Sequence, residues 1–211
     1  MVKIIAFISQ KGGVGKSTLA RALAVEATKR GLKVLLADCD PQQKTSFEWT
    51  QWRKENNITP SITSQIFNSV KEIWPLTKNY DLIIIDAPAR TSQATQEIAQ
   101  QANLLVQPVG ASRDDLLPAI REFNALKAQG IKKDKLCFVL NHLSTPAEVS
   151  ATQAYLRESG YPFIRIFLYE RASYRQAQNE GKSITESNFP SLKEQAQALI
   201  NELLKRIEVL K

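Results

Sequence analysis

The chain is poor in cysteine and histidine, and no apolar run approaches the roughly 18 to 20 residues needed to cross a bilayer. Its two cysteines, Cys39 and Cys137, lie far apart, form no CxxC pair and sit in or beside apolar stretches. That pattern excludes a disulfide framework and reads as two reduced, buried thiols in a cytoplasmic protein. The opening MVKIIAFIS is too short, and too soon followed by Lys and Gly, to read as a signal peptide. The single histidine, His142, has no second ligand in sight and reads as a surface or packing residue. Internal repeats, low-complexity segments and linkers are also missing. So is a charged tail: residues 1 to 120 carry 14 basic and 11 acidic side chains, and the remainder 14 and 10. Any nucleic-acid surface must therefore be assembled by folding.

What is present is the composition of an ordinary globular protein, 43% hydrophobic and 23% charged, with a formal charge of +7 that permits a polyanionic partner without requiring one. Short β-branched and Leu-rich runs recur at Ile4 to Ile8, Val34 to Ala37, Leu82 to Ile85, Leu104 to Val109, Leu136 to Leu140 and Phe163 to Phe167. Near-continuous apolar strands are expected where helices cover both faces of a parallel sheet. Helical periodicity occupies Lys16 to Lys29, Ser92 to Gln101, Asp114 to Ala128, Ala147 to Glu158 and Ser191 to Leu210. The alternation predicts a single domain over 1–211 of the α/β class, a doubly wound, mostly parallel sheet flanked by helices, with ligand at the carboxyl ends of the strands. Residues 44 to 79 are the least regular, with an extra strand expected near Ser64 to Phe67 between helices.

The stretch SQKGGVGKST follows the first strand and opens the first helix. In that context it reads as a Walker A phosphate loop of a P-loop NTPase. Gly12, Gly13 and Gly15 let backbone N–H groups, including those around Val14 and Thr18, close on phosphates at a helix N-terminus. Lys16 would reach the β and γ phosphates, and Ser17 would offer its hydroxyl to Mg²⁺; the alternative is a glycine-rich turn without ligand. Asp86 ends the apolar run DLIIID and is expected to serve as the Walker B acid, since a buried carboxylate needs a cation or donors. Asp81, at the other edge, reads as a solvated turn residue. Asp38 and Asp40 follow the second strand at alternate positions and point to the same side, toward the γ-phosphate. A turn capping the next helix is the other reading of that segment.

KGGVGKST, DCDPQ and DLIIIDAPA together resemble the ParA/MinD family of deviant Walker A ATPases, and QPVGASRDDL and YERASYRQAQNEGKSITE resemble its later segments. The likeness runs in order through nearly the whole chain. It implies ATP and Mg²⁺ as cofactors and an ATP-sandwich homodimer in which the extra lysine, Lys11, reaches the nucleotide of the other subunit. It implies that Asp40 orients the attacking water, that Asp38 supports the Mg²⁺ shell and that Asn141 reads the adenine edge, a capping asparagine being the alternative there. Asp86 to Thr91 would form the second switch. Turnover would be slow, since only Arg90 and Arg113 stand near the switches as candidate arginine fingers, and an adaptor of the ParB kind would accelerate it.

The resemblance further implies nonspecific DNA binding by the ATP-bound dimer and association with the nucleoid. Arg171, Arg175 and Lys182 are the first candidates for phosphate contact, with Lys193, Lys205 and Arg206 behind them. Leu192, Ala196, Leu199, Leu203, Ile207 and Leu210 form one stripe on the last helix. Docking on the protein's own core is favoured over the membrane-lying basic helix of MinD-like relatives, because Glu194, Glu202 and Glu208 dilute the basic face. The chain begins at its phosphate-loop strand, which reads as the lack of an N-terminal DNA-binding extension. Partition or positioning of a plasmid, chromosome region or large cargo is thus the expected function. A MinD-like spatial regulator and a metabolic enzyme on the same scaffold are the alternatives. A cluster-bearing reductase would need exposed thiolates, and Cys39 is more simply accounted for by packing.

Overall fold

The computed structural model describes residues 2–89 and 93–209. Arg90 and Thr91 of the expected switch, Ser92, the first residue of the helix expected over Ser92 to Gln101, and Leu210 of the terminal stripe lie outside these described residues. Among the described residues seven strands form one wholly parallel sheet: β1 (Lys3–Phe7), β2 (Val34–Asp38), β3 (Ser64–Ile66), β4 (Leu82–Asp86), β5 (Leu104–Val109), β6 (Leu136–Leu140) and β7 (Phe163–Ile164). They lie in the order β3-β2-β4-β1-β5-β6-β7. Among the described residues there are seven α-helices, α1 (Lys16–Lys29), α2 (Thr45–Glu55), α3 (Gln93–Gln101), α4 (Arg113–Ala128) and α5 (Pro146–Ser159) between strands, and α6 (Ala172–Asn179) and α7 (Pro190–Val209) after β7.

The pleat divides the apolar strand residues between two cores. Ile5 and Phe7 of β1 face one core, with Leu19 and Leu23 of α1, Trp49 of α2, Tyr174 of α6 and Leu199 and Leu203 of α7. Ile4 and Ala6 face the other, with Ile98 of α3, Phe123 of α4 and Leu156 of α5. Both faces being covered, the strands can be apolar along their whole length. Helix α7 is docked: Ala196, Leu199, Ile200, Leu203, Leu204 and Ile207 are buried and Leu192 rests against the same core.

Three local expectations are corrected. The run Phe163 to Phe167 is a strand only over Phe163–Ile164. Beyond that point its carbonyls bond to helix side chains instead of a ladder, Arg165 O accepting from Gln153 Nε2 and Phe167 O from Gln195 Nε2. The helix expected after β3 is replaced by two 3₁₀ segments, Val70–Glu72 and Trp74–Asn79. Pro75 lacks an N–H and restricts Trp74, which suits a short turn better than a continuing α-helix. Asp38 is the last residue of β2 and not a loop residue beyond it. Asp81 is a turn residue, its Oδ2 accepting from the Lys33 N–H at 2.8 Å.

Two polar clusters are sealed inside this frame. Arg53 of α2 is 1% exposed and uses its whole guanidinium, donating to the carbonyls of Thr59, Pro60 and Gly181 and to both carboxylate oxygens of Glu186 at 2.7 and 2.9 Å. Burial alone would raise the Glu186 pKa, but Arg53, the Ser183 N–H and Lys29 together outweigh it and the net shift is downward. On the other side of the sheet, Glu122 of α4 accepts from Gln107 Nε2 of β5 at 2.7 Å and from the Gln10 backbone N–H. Burial dominates there and pushes the Glu122 carboxyl up to about 7, against the opposing pull of Gln10, Gln107 and Lys16. The Oε1 atoms of Glu122 and Gln107 are buried without a partner.

Two predictions follow from these clusters. Arg53→Ala strands the Glu186 carboxylate and three carbonyls, so urea unfolding at neutral pH should show a loss of about 3 to 5 kcal/mol; a loss below about 1 kcal/mol would mean that water replaces the guanidinium freely. For Glu122 the folded state holds the proton more tightly than the unfolded one. Its contribution is therefore lost as pH rises from the ordinary 4.5 through about 7. Glu122→Gln should remove that slope and gain roughly 2 to 3 kcal/mol over the wild type above the window. Denaturation at a series of pH values checks it, and parallel profiles for the two proteins would refute it.

Candidate functional site

The chain leaves β1 at the middle of the sheet, and the loop from Ile8 to Gly15 turns directly into α1. Gly15 stands at the N-cap of α1 with φ of +102°. A Cβ there would lie 2.1 Å from Asn141 Nδ2, so both backbone and space require glycine. Gly13 is also left-handed, with φ of +77°. Asn141, buried just past the end of β6, donates from Nδ2 to the Val14 carbonyl at 2.8 Å. The structure thus places Asn141 as a brace on the loop, an arrangement that its strand-end position did not reveal.

Beside the loop lies a cavity of about 490 Å³ whose wall includes Gly12, Gly13, Gly15, Lys16, Ser17 and Thr18 together with Asp40 and Asp86. Most of the residues expected to act on a nucleotide are therefore brought to one chamber at the carboxyl ends of the strands. Lys16 is 8% exposed and makes no hydrogen bond or ion pair among the described residues. Burial lowers its pKa, opposed by the charges of Asp86, Glu122 and Asp40. Lys11 belongs to the same loop but not to the chamber. Its side chain is 49% exposed and its ammonium is paired with Asp115 near the start of α4, which the Ser112 hydroxyl also contacts. Burial resists ionisation of Asp115, but Lys11 and Ser112 prevail and lower its pKa.

The two acids of β2 and β4 are register partners, Asp38 opposite Asp86. They differ in what they offer. Asp38 Oδ2 accepts from the N–H groups of Ser46 and Phe47 at 2.9 and 3.0 Å, and Oδ1 from the Asp40 N–H at 3.1 Å. Both oxygens are occupied in capping α2 and fixing the following turn, so the capping alternative applies to Asp38 itself, which is left to act on a cation through its charge. Asp86 is 4% exposed; its Oδ2 accepts from the Ser46 hydroxyl at 2.7 Å, while Oδ1 is buried without a partner. Burial raises the Asp86 pKa, opposed by the hydroxyls of Ser46 and Ser17. An unpartnered buried carboxylate oxygen beside a serine hydroxyl is a fitting donor set for Mg²⁺, which takes one or two protein oxygens and otherwise phosphates and water. Asp40 reaches the chamber wall, its Oδ1 accepting from the Gln43 N–H at 3.1 Å.

The DNA candidates are not all together. Arg171 precedes α6 with its guanidinium 4.9 Å from the centre of the Tyr169 ring. Arg175, one turn into α6, pairs with Glu170 at 2.8 Å. Lys182 lies past the other end of that helix, paired with Glu180 at 2.9 Å. Of the weaker candidates, Lys205 pairs with Glu202 and Arg206 donates to the Asp134 carbonyl. Arg113 opens α4, while Arg90 is outside the described residues. His142 is exposed at the rim of the chamber. Cys39 is a buried thiol whose pKa burial pushes well above the ordinary range, the opposite of what a cluster ligand needs.

Several residues of the site carried no recognised signal. Arg21 of α1 and Gln178 of α6 line the chamber, with Arg21 also reaching the buried Ser46 of α2, and Asp115 and Glu122 come from α4. Glu122 alone had one: it falls on the same helical stripe as Leu116, Ala119, Phe123 and Leu126, an acid on an inward face.

The chain matches the CobQ/CobB/MinD/ParA nucleotide binding domain over residues 5–184. It is 26% identical over 186 residues to maintenance of carboxysome distribution protein A of Halothiobacillus neapolitanus, covering 85% of each chain. It is 25% identical over 181 residues to Protein ParA of Rhizobium radiobacter, covering 81% of this chain and 80% of the relative. Among solved structures, an ATP complex of Cyanothece McdA superposes with a TM-score of 0.74 at 19% identity, covering 97% of this chain and 96% of that one. The MinD cell division protein of Aquifex aeolicus superposes with a TM-score of 0.73 at 18% identity over 97% and 98%. With a parallel sheet of the same fold, a phosphate loop at its centre and a family match across most of its length, this chain belongs to the CobQ/CobB/MinD/ParA nucleotide-binding family.

Proposed function

We propose that this chain is a ParA-type ATPase that closes into an ATP-sandwich dimer, binds DNA without sequence preference and positions a plasmid, chromosome region or large cargo on the nucleoid. The observation that carries the reading is the divergence of two lysines in one loop. Lys16 is buried in the chamber wall, and Lys11 is exposed outside it. A lysine outside its own chamber supports a role at another. A triphosphate clamped against a second copy needs cations from both sides to offset the repulsion of the two nucleotides.

In this reading the glycines, Val14 and Thr18 present N–H groups to the phosphates, Lys16 faces the β and γ phosphates, and Asn141 holds the loop beside the base. Ser17 and Asp86 hold Mg²⁺, with the charge of Asp38 behind them. Held there, Mg²⁺ would supply positive charge to offset that of the phosphates. Asp40 orients the attacking water. Arg171 and Arg175, doubled by dimerisation, contact DNA phosphates, with Lys182 further along the surface. An adaptor protein raises a slow intrinsic turnover, as supplied arginines do in other phosphoryl-transfer enzymes.

Two experiments test this. Lys11→Ala should bind ATP as a monomer with affinity near wild type but fail to dimerise with Mg²⁺ and ATP in light scattering; a normal ATP-bound dimer would reduce Lys11 to a loop residue. Arg171→Ala with Arg175→Ala should still dimerise while losing affinity for random duplex DNA in fluorescence anisotropy. The slope of log affinity against log salt should fall by about one per lost phosphate contact. Wild-type binding that ignores DNA in every nucleotide state, with capture by anionic liposomes in ATP, would overturn the partition reading.

A further inference from the structure

Two acids at the ends of adjacent parallel strands lie only about 4.8 Å apart at the backbone. Asp38 and Asp86 are such a pair, both buried, and like charges in that setting drive each other to rotate away or to take up protons. One residue bridges them. Ser46, fully buried in the first turn of α2, gives its backbone N–H to Asp38 Oδ2 at 2.9 Å and its hydroxyl to Asp86 Oδ2 at 2.7 Å.

The direction of the hydroxyl proton is dictated by a third partner. Arg21 Nε lies 3.3 Å from Ser46 Oγ and can only donate. Ser46 Oγ therefore accepts from Arg21 and donates to the carboxylate, which can only accept. Arg21 is itself fixed, its Nη1 donating to Gln178 Oε1 at 3.1 Å, and Gln178 Nε2 donates to Thr18 Oγ1 at 3.1 Å. The chain of bonds thus begins on the phosphate-loop helix and ends on Asp86. It commits Oδ2 of that carboxylate and leaves Oδ1 buried and unpartnered.

We propose that Ser46, oriented by Arg21, is a positioning residue that fixes the Asp86 carboxylate so that Oδ1 is the oxygen presented to the Mg²⁺ of bound nucleotide. This inference rests on the reading that Asp86 and Ser17 hold that ion. Ser46→Ala removes one oxygen atom and no packing volume of consequence, so the carboxylate keeps its place and loses its orientation.

The test is equilibrium titration of the full chain with a fluorescent ATP analogue, in EDTA and across a series of Mg²⁺ concentrations. Ser46→Ala should bind the analogue as the wild type does in EDTA, while its Mg²⁺ half-saturation point rises about tenfold to a hundredfold, as for other residues that orient a metal ligand. Ser46→Thr, which keeps the hydroxyl, should restore the wild-type Mg²⁺ dependence. Arg21→Lys, which keeps the charge but removes the Nε donor, should shift it in the same direction as Ser46→Ala and carries the test if that variant does not fold. Equal weakening with and without Mg²⁺ would make Ser46 merely structural and overturn the proposal, as would an unchanged Mg²⁺ dependence in both Ser46→Ala and Arg21→Lys. Asp86→Asn separates the two levels. If it shifts the Mg²⁺ dependence and the Ser46 and Arg21 variants do not, only the positioning role falls. If Asp86→Asn leaves it unchanged as well, the ion is not held at Asp86 and the underlying site reading falls with the proposal.

Discussion

Opposite charges enclosed at one end of an otherwise hydrocarbon sheet are the constraint on which the rest of the structure depends. Asp38, Asp86 and Glu122 are buried within reach of two cations, the buried Lys16 and the half-buried Arg21. Each charge alone would be costly to remove from water, and the arrangement is tolerable only because the others are there and because backbone N–H groups and hydroxyls fill most of the remaining valences. The valences left empty, on Asp86 and Glu122, mark where the balance is incomplete. Parallel strands supply the geometry, since their carboxyl ends emerge together and no strand returns to cover them.

Helix α4 illustrates how the surrounding structure answers to that constraint. It touches the phosphate loop at two successive residues by two different means. Glu122, deep in the core, accepts from the Gln10 backbone, while Asp115, near the helix start, holds the Lys11 side chain. The inner contact is shielded from water. The outer one is half-exposed, and an ion pair so placed contributes little net free energy, so little holds Lys11 to Asp115. The loop is anchored on one side of the Gln10–Lys11 peptide and exchangeable on the other.

The degree to which all this was legible depended on the range of the interactions involved. Strands β1, β2, β4, β5 and β6 could be read because burial on both faces writes an unbroken apolar run into the chain. The phosphate loop could be read because its demands on glycine and lysine are local. Strand β7 was overestimated, since FIRIF is apolar enough for a strand and only side chains from α5 and α7 decide where its carbonyls bond. Asp38 and Asp40 look equivalent in DCDPQ, and it is the start of α2 that turns the first into a cap and leaves the second at the chamber. The Arg21–Ser46 and Arg21–Gln178 bonds join residues 25 and 157 positions apart, and no local pattern announces such meetings.

Helix α2 carries a consequence of a different kind, because it presents two tryptophans to two different environments. Trp49 is fully buried, bonded through its indole N–H to the Lys182 carbonyl, with the guanidinium groups of Arg21 and Arg53 at 5.6 and 5.5 Å from its ring. Trp52, three residues on, is 46% exposed at the mouth of the chamber. The protein therefore contains its own pair of optical probes. Trp74, half-buried in the second 3₁₀ segment, is the third tryptophan. With it replaced by phenylalanine, iodide in solution reaches Trp52 and not Trp49, so quenchable emission follows events at the chamber mouth, while the unquenched remainder follows the charged network around Trp49.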